Sequence, residues 1–215
     1  MVSGGAIHIT QENLIRPAGH DDADGLWELA RRSFPDSLLW QGPRGTAVSW
    51  LHHLMAAAFC EIWVDIFNGK LAGFVLLVSD AAEYAAQKKR YQLKNVPGLM
   101  LTCPILLSRR FFQRIFSRPR VLNYSDTAQK NGPMNSLAKT IWIELVAVSP
   151  EMRGRGLGKS ILRFCEHRAA ELGCDALKLN VFKNNIGAIE FYEKGGFSLL
   201  AQTKSSCIYT RNPAL

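Results

Sequence analysis

Long hydrophobic runs are missing from this chain. Its longest apolar stretch, Gly98 to Leu107, is too short to cross a bilayer and is interrupted by Pro104. Met1 to Ile9 has no basic region followed by an apolar one, so no signal peptide is expected. There is no internal repeat and no low-complexity tail, which excludes solenoids and disordered arrays. No C-x-x-C pair occurs: the five cysteines stand apart at 60, 103, 165, 174 and 207. An odd, scattered set speaks for reduced thiols, a cytoplasmic location and no metal site. Both common phosphate fingerprints are also absent, since neither G-x-x-x-x-G-K-[ST] nor G-x-G-x-x-G is found.

Acid is missing from one long segment. Between Tyr84 and Ser125 stand nine basic residues (Lys88, Lys89, Arg90, Lys94, Arg109, Arg110, Arg114, Arg118 and Arg120) and no Asp or Glu. The net charge of +8 therefore belongs to that segment, because the other 17 basic residues face 18 acidic ones. With 215 residues, 47% of them hydrophobic, the chain is long enough for one domain with a real core, and a single domain over 1–215 is expected.

The pattern along the chain alternates strands with helices. Glu12 to Arg16 reads as a strand ended by Pro17, and His20 opens a helix with acids in its first turn. A second helix is expected from Thr46 to Phe59. Ile62 to Phe67 and Leu71 to Val78 form a hairpin around Asn68-Gly69. Ala81 to Leu93 looks helical, and Asn95-Val96-Pro97-Gly98 breaks the pattern. The stretch from about 97 to 135 reads as a basic insertion. Within it, residues 105–118 can form a helix with Ile105, Phe112, Ile115 and Phe116 on one side and Arg110, Arg114 and Arg118 on the other. Its arginines are read as solvated, as the wall of an acceptor site, or as a surface for an anionic partner such as membrane lipid or RNA. Asp126 to Ser136 reads as a loop.

The most informative stretch follows the apolar run Ile141 to Val148 and the turn Ser149-Pro150. It reads Arg153-Gly154-Arg155-Gly156-Leu157-Gly158, and helical spacing begins at Leu157 with Ile161, Leu162, Phe164, Cys165 and Ala169. A strand, a glycine-rich turn and a helix N-terminus together suit a phosphate: the first amides of a helix lack partners and its dipole is positive there. Arg153, Arg155 and Lys159 add charge. A tight connection with no ligand is the other reading. Cys165 falls on the apolar stripe and reads as core. Next come Gly173 as a stop, the strand Ala176 to Phe182, and a short helix capped by Asn184-Asn185 and closed at Gly195-Gly196-Phe197. The last strands are Ser198 to Gln202 and Ser206 to Thr210.

Arg153-x-x-Gly156-x-Gly158, followed by Asn185-x-x-Ala188-x-x-x-Tyr192 and then Gly196-Phe197, resembles the GCN5-related N-acetyltransferase (GNAT) family. The detailed resemblance covers Thr140 to Leu200. It implies an α/β (α+β, three-layer) fold: a mixed, mostly antiparallel central sheet flanked by helices, with the basic insertion before the cofactor strand. It also implies acetyl-CoA as co-substrate. The pyrophosphate would lie on the amides of Arg153, Gly154, Arg155, Gly156, Leu157 and Gly158, with Lys159 and Ser160 at its edge. The pantetheine arm would lie on Val146, Ala147 and Val148, where a backbone amide also faces the thioester oxygen.

The resemblance further implies that Tyr192 protonates the coenzyme A thiolate, which suits a phenol; a core tyrosine bonded to backbone is the alternative. Asn185 caps its helix, touches the pantetheine, or both. Glu144, placed by strand alternation on the face of Val146 and Val148, reads as the base or as half of a salt bridge. Members that acetylate the N-terminus of a ribosomal protein carry Glu where this chain has Asn180, which argues against that substrate. His52 and His53 read as helix surface or as lining of the acceptor groove. The leading expectation is an acetyl-CoA-dependent N-acetyltransferase acting on a primary amine by direct transfer. The alternatives are an acyltransferase for an anionic acceptor such as aminoacyl-tRNA, with Lys88–Arg120 on its phosphates, and a non-catalytic acyl-CoA or membrane-surface protein. A homodimer is also a family habit.

Overall fold

The computed structural model describes residues 9–10, 13–102 and 139–213. Eight strands of the described residues form one sheet: β1 (Ile9–Thr10), β2 (Asn13–Pro17), β3 (Cys60–Phe67), β4 (Lys70–Val78), β5 (Thr140–Val148), β6 (Ala176–Phe182), β7 (Ser198–Gln202) and β8 (Ser206–Arg211). Their order is β1-β2-β3-β4-β5-β6-β8-β7, and every pair is antiparallel except β5–β6. The six helices of the described residues are α1 (Ala23–Ser33), α2 (Leu38–Gln41), α3 (Arg44–Met55), α4 (Ala81–Thr102), α5 (Leu157–Glu171) and α6 (Ile186–Lys194). This is the mixed, mostly antiparallel, three-layer arrangement the motifs imply. No described helix is long and apolar enough to cross a membrane.

Two apolar layers sandwich the sheet. On one face α1, α2, α3 and Tyr84 of α4 pack on Ile62, Val64, Phe74, Leu76 and Val78. On the other, α5 contributes Ile161, Leu162, Cys165 and Ala169 against Val75, Leu77, Ile141, Ile143, Leu177 and Leu179. Central β4 is buried on both faces, hence its unbroken apolar run. The hairpin before it turns on Asn68 and Gly69, both with positive φ (50° and 73°), as the Asn-Gly pair requires. At Gly73 a Cβ would stand 2.9 Å from both the Ala147 carbonyl oxygen and Ile161 Cδ1, so β4, β5 and α5 meet there at a distance only glycine allows. Arg168 of α5 reaches back to both carboxylate oxygens of Glu61 on β3 (2.9 and 2.7 Å), a fork that fixes the helix over the sheet.

Three expected boundaries move. The second helix runs Arg44–Met55 rather than Thr46 to Phe59, started after Pro43 and preceded by the unanticipated α2. His20–Asp22 forms a 3-10 turn, and α1 proper begins at Ala23. The helix expected to end at Leu93 continues through Pro97 and Gly98 to Thr102. Before the proline it is fastened by the Tyr91 hydroxyl, which donates to the Thr46 carbonyl (2.7 Å), and by Asn95 Nδ2, which donates to the Tyr91 carbonyl (2.8 Å). Tertiary anchoring here outweighs the local breaker signal. Residues 97–102 of the expected insertion thus belong to α4. The expected 105–118 helix and 126–136 loop lie outside the described residues.

Asp65 on β3 is buried at a bulge, 1% exposed. Asn13 Nδ2 donates to its Oδ2 (3.3 Å), while Oδ1 of each lacks a partner among the described residues. Burial pushes the carboxyl up to about 6 from 3.8. Between those values the folded state holds a proton that the unfolded state has released, so the stability contributed by this group falls as pH rises, and the penalty is complete above about 6. Asp65→Asn should therefore stabilise the protein at pH 8 by on the order of 2 kcal/mol and not at pH 4. Urea unfolding at both pH values checks this, and an equal change at both would refute the buried-charge account.

Candidate active site

The site begins where two strands part. β5 pairs with parallel β6 only over Thr140–Ile143 and Ala176–Leu179. Beyond that point Glu144–Val148 keeps β4 on one side and, among the described residues, has no strand on the other. The backbone groups on that side of Val146, Ala147 and Val148 face an opening between strands and are available to an extended ligand.

Glu144 marks the start of the opening. Leu77 pairs with Ile143 and Leu76 with Leu145, so Glu144 is an extra residue, a bulge, on β5. A bulge shifts the alternation by one. Ahead of it Ile141 and Ile143 face the α5 layer, and past it Val146 and Val148 do. Leu145 and Ala147 face the layer of α1 and α3. The Glu144 carboxylate points to that same layer, where Lys88 Nζ of α4 donates to its Oε1 at 2.9 Å. This corrects the expectation from simple alternation: Glu144 does not share a face with Val146 and Val148. The salt-bridge reading of Glu144 is realised, on the opposite face of the sheet from α5 and α6.

The glycine turn follows β5 through a 3-10 turn, Pro150–Met152. Gly154 and Gly156 have positive φ (78° and 82°), and a Cβ on either would meet none of the described residues within 4 Å. Both glycines therefore serve the chain path and leave the space above it open. Gly156 caps α5, no side chain bonds that end, and the Ser160 amide makes the bond back to the Gly156 carbonyl (3.0 Å). The amides of Leu157, Gly158 and Lys159 are then the orphan donors of a helix N-terminus. Arg153, Arg155 and Lys159 stand exposed around it, and Arg155 lies over the Phe67 ring at 5.8 Å. Leu157 is buried against Phe67 and Ala72 and pins the turn to the sheet. Gly158 acts differently, through close packing. A Cβ there would come within 3.0 Å of the Phe191 ring, so its absence lets α6 close on α5. From Lys159 a cavity of about 480 Å³ continues between α5 and α6, past Arg163 and Lys194.

Tyr192 lies on the α5 side, half-buried among Val146, Val148, Phe191 and Phe197. Its ring meets Phe197 edge-on at 5.8 Å and Phe191 at 5.4 Å. Burial, with the Cys165 sulfur nearby, pushes the phenol up to about 12. Among the described residues its hydroxyl has no hydrogen-bond partner, so the expected alternative of a backbone-bonded core tyrosine is not met. Asn185 Oδ1 accepts from the Ala188 amide (3.2 Å) and caps α6, and its Nδ2 bonds to none of the described residues. Cys165 is fully buried core, its thiol pushed up by burial.

Sequence reading missed two lysines. Lys88 meets Glu144 and also stands 5.2 Å from the Tyr84 ring centre. Lys178 of β6 lies over Trp142, directly opposite it in register, and burial lowers its pKa. Strand alternation from buried Leu177 and Leu179 could have placed Lys178 on the Glu144 face; nothing local could have paired Lys88 with Glu144. Exposed Asn180 is on the same face as Lys178. His52 lies tilted against His20 (4.5 Å), and exposed His53 stacks on Trp50 (5.3 Å). No group of residues suited to hold a metal occurs among the described residues.

Residues 124–197 match the family model described as Acetyltransferase (GNAT) family. The spermine/spermidine N(1)-acetyltransferase of Bacillus subtilis (strain 168) is 34% identical over 73 residues, which are 34% of this chain and 43% of that protein. The similarity thus spans less than half the length of that curated relative. Among solved structures, a polyamine N-acetyltransferase of Drosophila melanogaster superposes with a TM-score of 0.62 at 14% identity, covering 94% of this chain and 100% of that one. The PaiA N-acetyltransferase of Thermoplasma acidophilum, solved with coenzyme A, gives 0.55 at 15% identity over 94% and 99% of the two chains. The partial family match over residues 124–197, the shared fold, the parted strands and the glycine turn agree, and over that stretch the chain is similar to GNAT acetyltransferases.

Proposed function

We propose that this protein is an acetyl-CoA-dependent N-acetyltransferase that acts on a primary amine by direct transfer. The observation that carries the reading is the opening between β5 and β6, with Tyr192 on one face of the sheet and Glu144 on the other. The residues present suit the cofactor. Orphan amides and open space at Gly154 and Gly156 would hold a pyrophosphate beside Arg153, Arg155 and Lys159, and Ser160 borders it. The free edge of Val146, Ala147 and Val148 would hold the pantetheine, with Asn185 Nδ2 near its path.

Acetyl-CoA supplies the activated acyl group; the chain supplies position and protons. The strand edge fixes the reacting carbon in the opening, and one of its amides serves as oxyanion donor. Glu144 meets the incoming ammonium on the α4 side and accepts its proton. Tyr192, protonated at all ordinary pH values, donates to the departing sulfur on the α5 side. The two proton transfers are thereby separated by the sheet.

The acceptor we propose carries a single ammonium. In the unmodified protein Glu144 is already paired with the Lys88 ammonium, and that cation disfavours a polycation beside it. The polyamine names of the relatives do not carry over on that ground. Calorimetric titration with acetyl-CoA, followed by thiol release with a panel of monoamines and spermidine, tests both parts. Micromolar binding with turnover on monoamines supports the reading; binding with spermidine as the best acceptor would refute the acceptor class, and no binding would refute the cofactor.

A second reading rests on Lys89, Arg90 and Lys94, which stand exposed on α4 and offer cations to an anionic acceptor carrier. It predicts acceptor affinity that falls steeply between 50 and 200 mM salt, on the order of tenfold or more. The remainder of that basic segment, Arg109 to Arg120, lies outside the described residues. A cytoplasmic location is part of the proposal, supported by the free, buried thiols of Cys60, Cys165, Cys174 and Cys207 among the described residues. A homodimer is proposed from the family habit, and sedimentation of the purified protein tests it.

A further inference from the structure

Lys88 occupies the place an acceptor amine would need. Its Nζ is 2.9 Å from Glu144 Oε1, and it stands 5.2 Å from the centre of the Tyr84 ring. A carboxylate and an aromatic face together form an ammonium site. Glu144 sits at the bulge, one residue beyond the last β5–β6 pair, so this ammonium is held at the mouth of the opening. The side chains of Lys88 and Glu144 remain 36% and 20% exposed, so they are not sealed in a core. Among the described residues no other lysine bonds to Glu144, and Lys178 lies over Trp142, where the strands are still paired.

We propose that Lys88 is itself an acetyl acceptor, modified by the protein that carries it. The inference rests on the transferase reading above. Glu144 takes one proton from the Lys88 ammonium. The free amine nitrogen attacks the carbonyl carbon of the acetyl thioester; the carbon–nitrogen bond forms and the carbon–sulfur bond breaks. The second nitrogen proton leaves to solvent as the amide forms, and Tyr192 protonates the sulfur and is reprotonated from water. The products are acetyl-Lys88, free coenzyme A and one released proton. No oxidant or further reactant is needed. Acetylation removes the positive charge, and with it the ion pair to Glu144 and the contact over Tyr84. Glu144 is then open to an external amine, so the first turnover prepares the site for later ones.

The test is peptide mass mapping of the purified protein during incubation with acetyl-CoA. Lys88 should be acetylated first, at least about tenfold faster than its exposed neighbour Lys89, because it is held against the reacting centre. The rate constant should not depend on protein concentration. Glu144→Gln and Tyr192→Phe should slow Lys88 and leave Lys89 unchanged, which a merely exposed lysine would not show. Lys88→Arg should keep the ion pair and abolish the modification. Acetylation of Lys88 no faster than Lys89, in protein that calorimetry shows to bind acetyl-CoA, would overturn the inference, and so would a rate that rises with protein concentration. Failure to bind acetyl-CoA would bring down the cofactor reading and this inference with it.

Discussion

Tyr192→Phe is expected to lower kcat by roughly 10²–10³-fold while acetyl-CoA affinity changes by no more than about threefold. The ring contacts with Phe191 and Phe197 survive the change, and the hydroxyl that is lost has no hydrogen-bond partner among the described residues. Folding stability should therefore be close to wild type, which separates a chemical role from a structural one. The pH profile adds a second check. A phenol pushed up to about 12 stays protonated through the working range, so Tyr192 should produce no fall in kcat between pH 7 and about 10. Stopped-flow thiol release on wild type and variant would measure both. Equal turnover in the variant would show that water, and not Tyr192, protonates the sulfur.

Gly156→Asp is the second large effect. The residue sits at φ 82°, at the head of α5, with no described residue within 4 Å of an added Cβ. Steric damage is absent, and the left-handed conformation costs about 1 kcal/mol for a non-glycine residue. The fold should persist with a small change in melting temperature. The carboxylate, however, sets a negative charge beside the orphan amides a pyrophosphate would use and repels that anion. Acetyl-CoA affinity should fall at least about 100-fold, or about 2.7 kcal/mol. Gly156→Ala, which adds strain without charge, should cost much less. Calorimetry on the pair decides the matter, and an unchanged affinity in Gly156→Asp would reduce the turn to a connection.

What could be read in the sequence is what is encoded locally. The turn from Arg153 to Gly158 and the Asn185–Tyr192 stretch stand in single continuous segments, and each lies where its residues imply. The Asn68-Gly69 hairpin was equally plain, since those residues alone suit its two positive φ angles. Glu144 was misplaced because a bulge is a property of two strands. Its position depends on how Leu76 and Leu77 are offset against β5, more than sixty residues away, and no period within Ile141 to Val148 records it. The partner of Glu144 was hidden for the same reason: Lys88 is 56 residues distant and arrives on a helix whose neighbours are set by the core. The end of α4 failed differently. Pro97 and Gly98 are true breakers, yet Tyr91 and Asn95 tie the preceding turns down before those residues are reached.

The short β5–β6 pairing has a mechanical consequence. Thr140–Ile143 and Ala176–Leu179 are the seam along which β1 through β5 join β6, β8 and β7. Above that seam the sheet is a slot, and a molecule lying in it bonds to β5 while packing against β6 and α6. Such a molecule works as a clasp on both panels of the sheet. Amide exchange in β6 and β8 should slow together with that in β5 when the slot is filled, although neither β6 nor β8 carries the glycine turn. A bisubstrate compound that runs from the α5 face through to Glu144 would thread the slot completely and hold the panels shut from both sides.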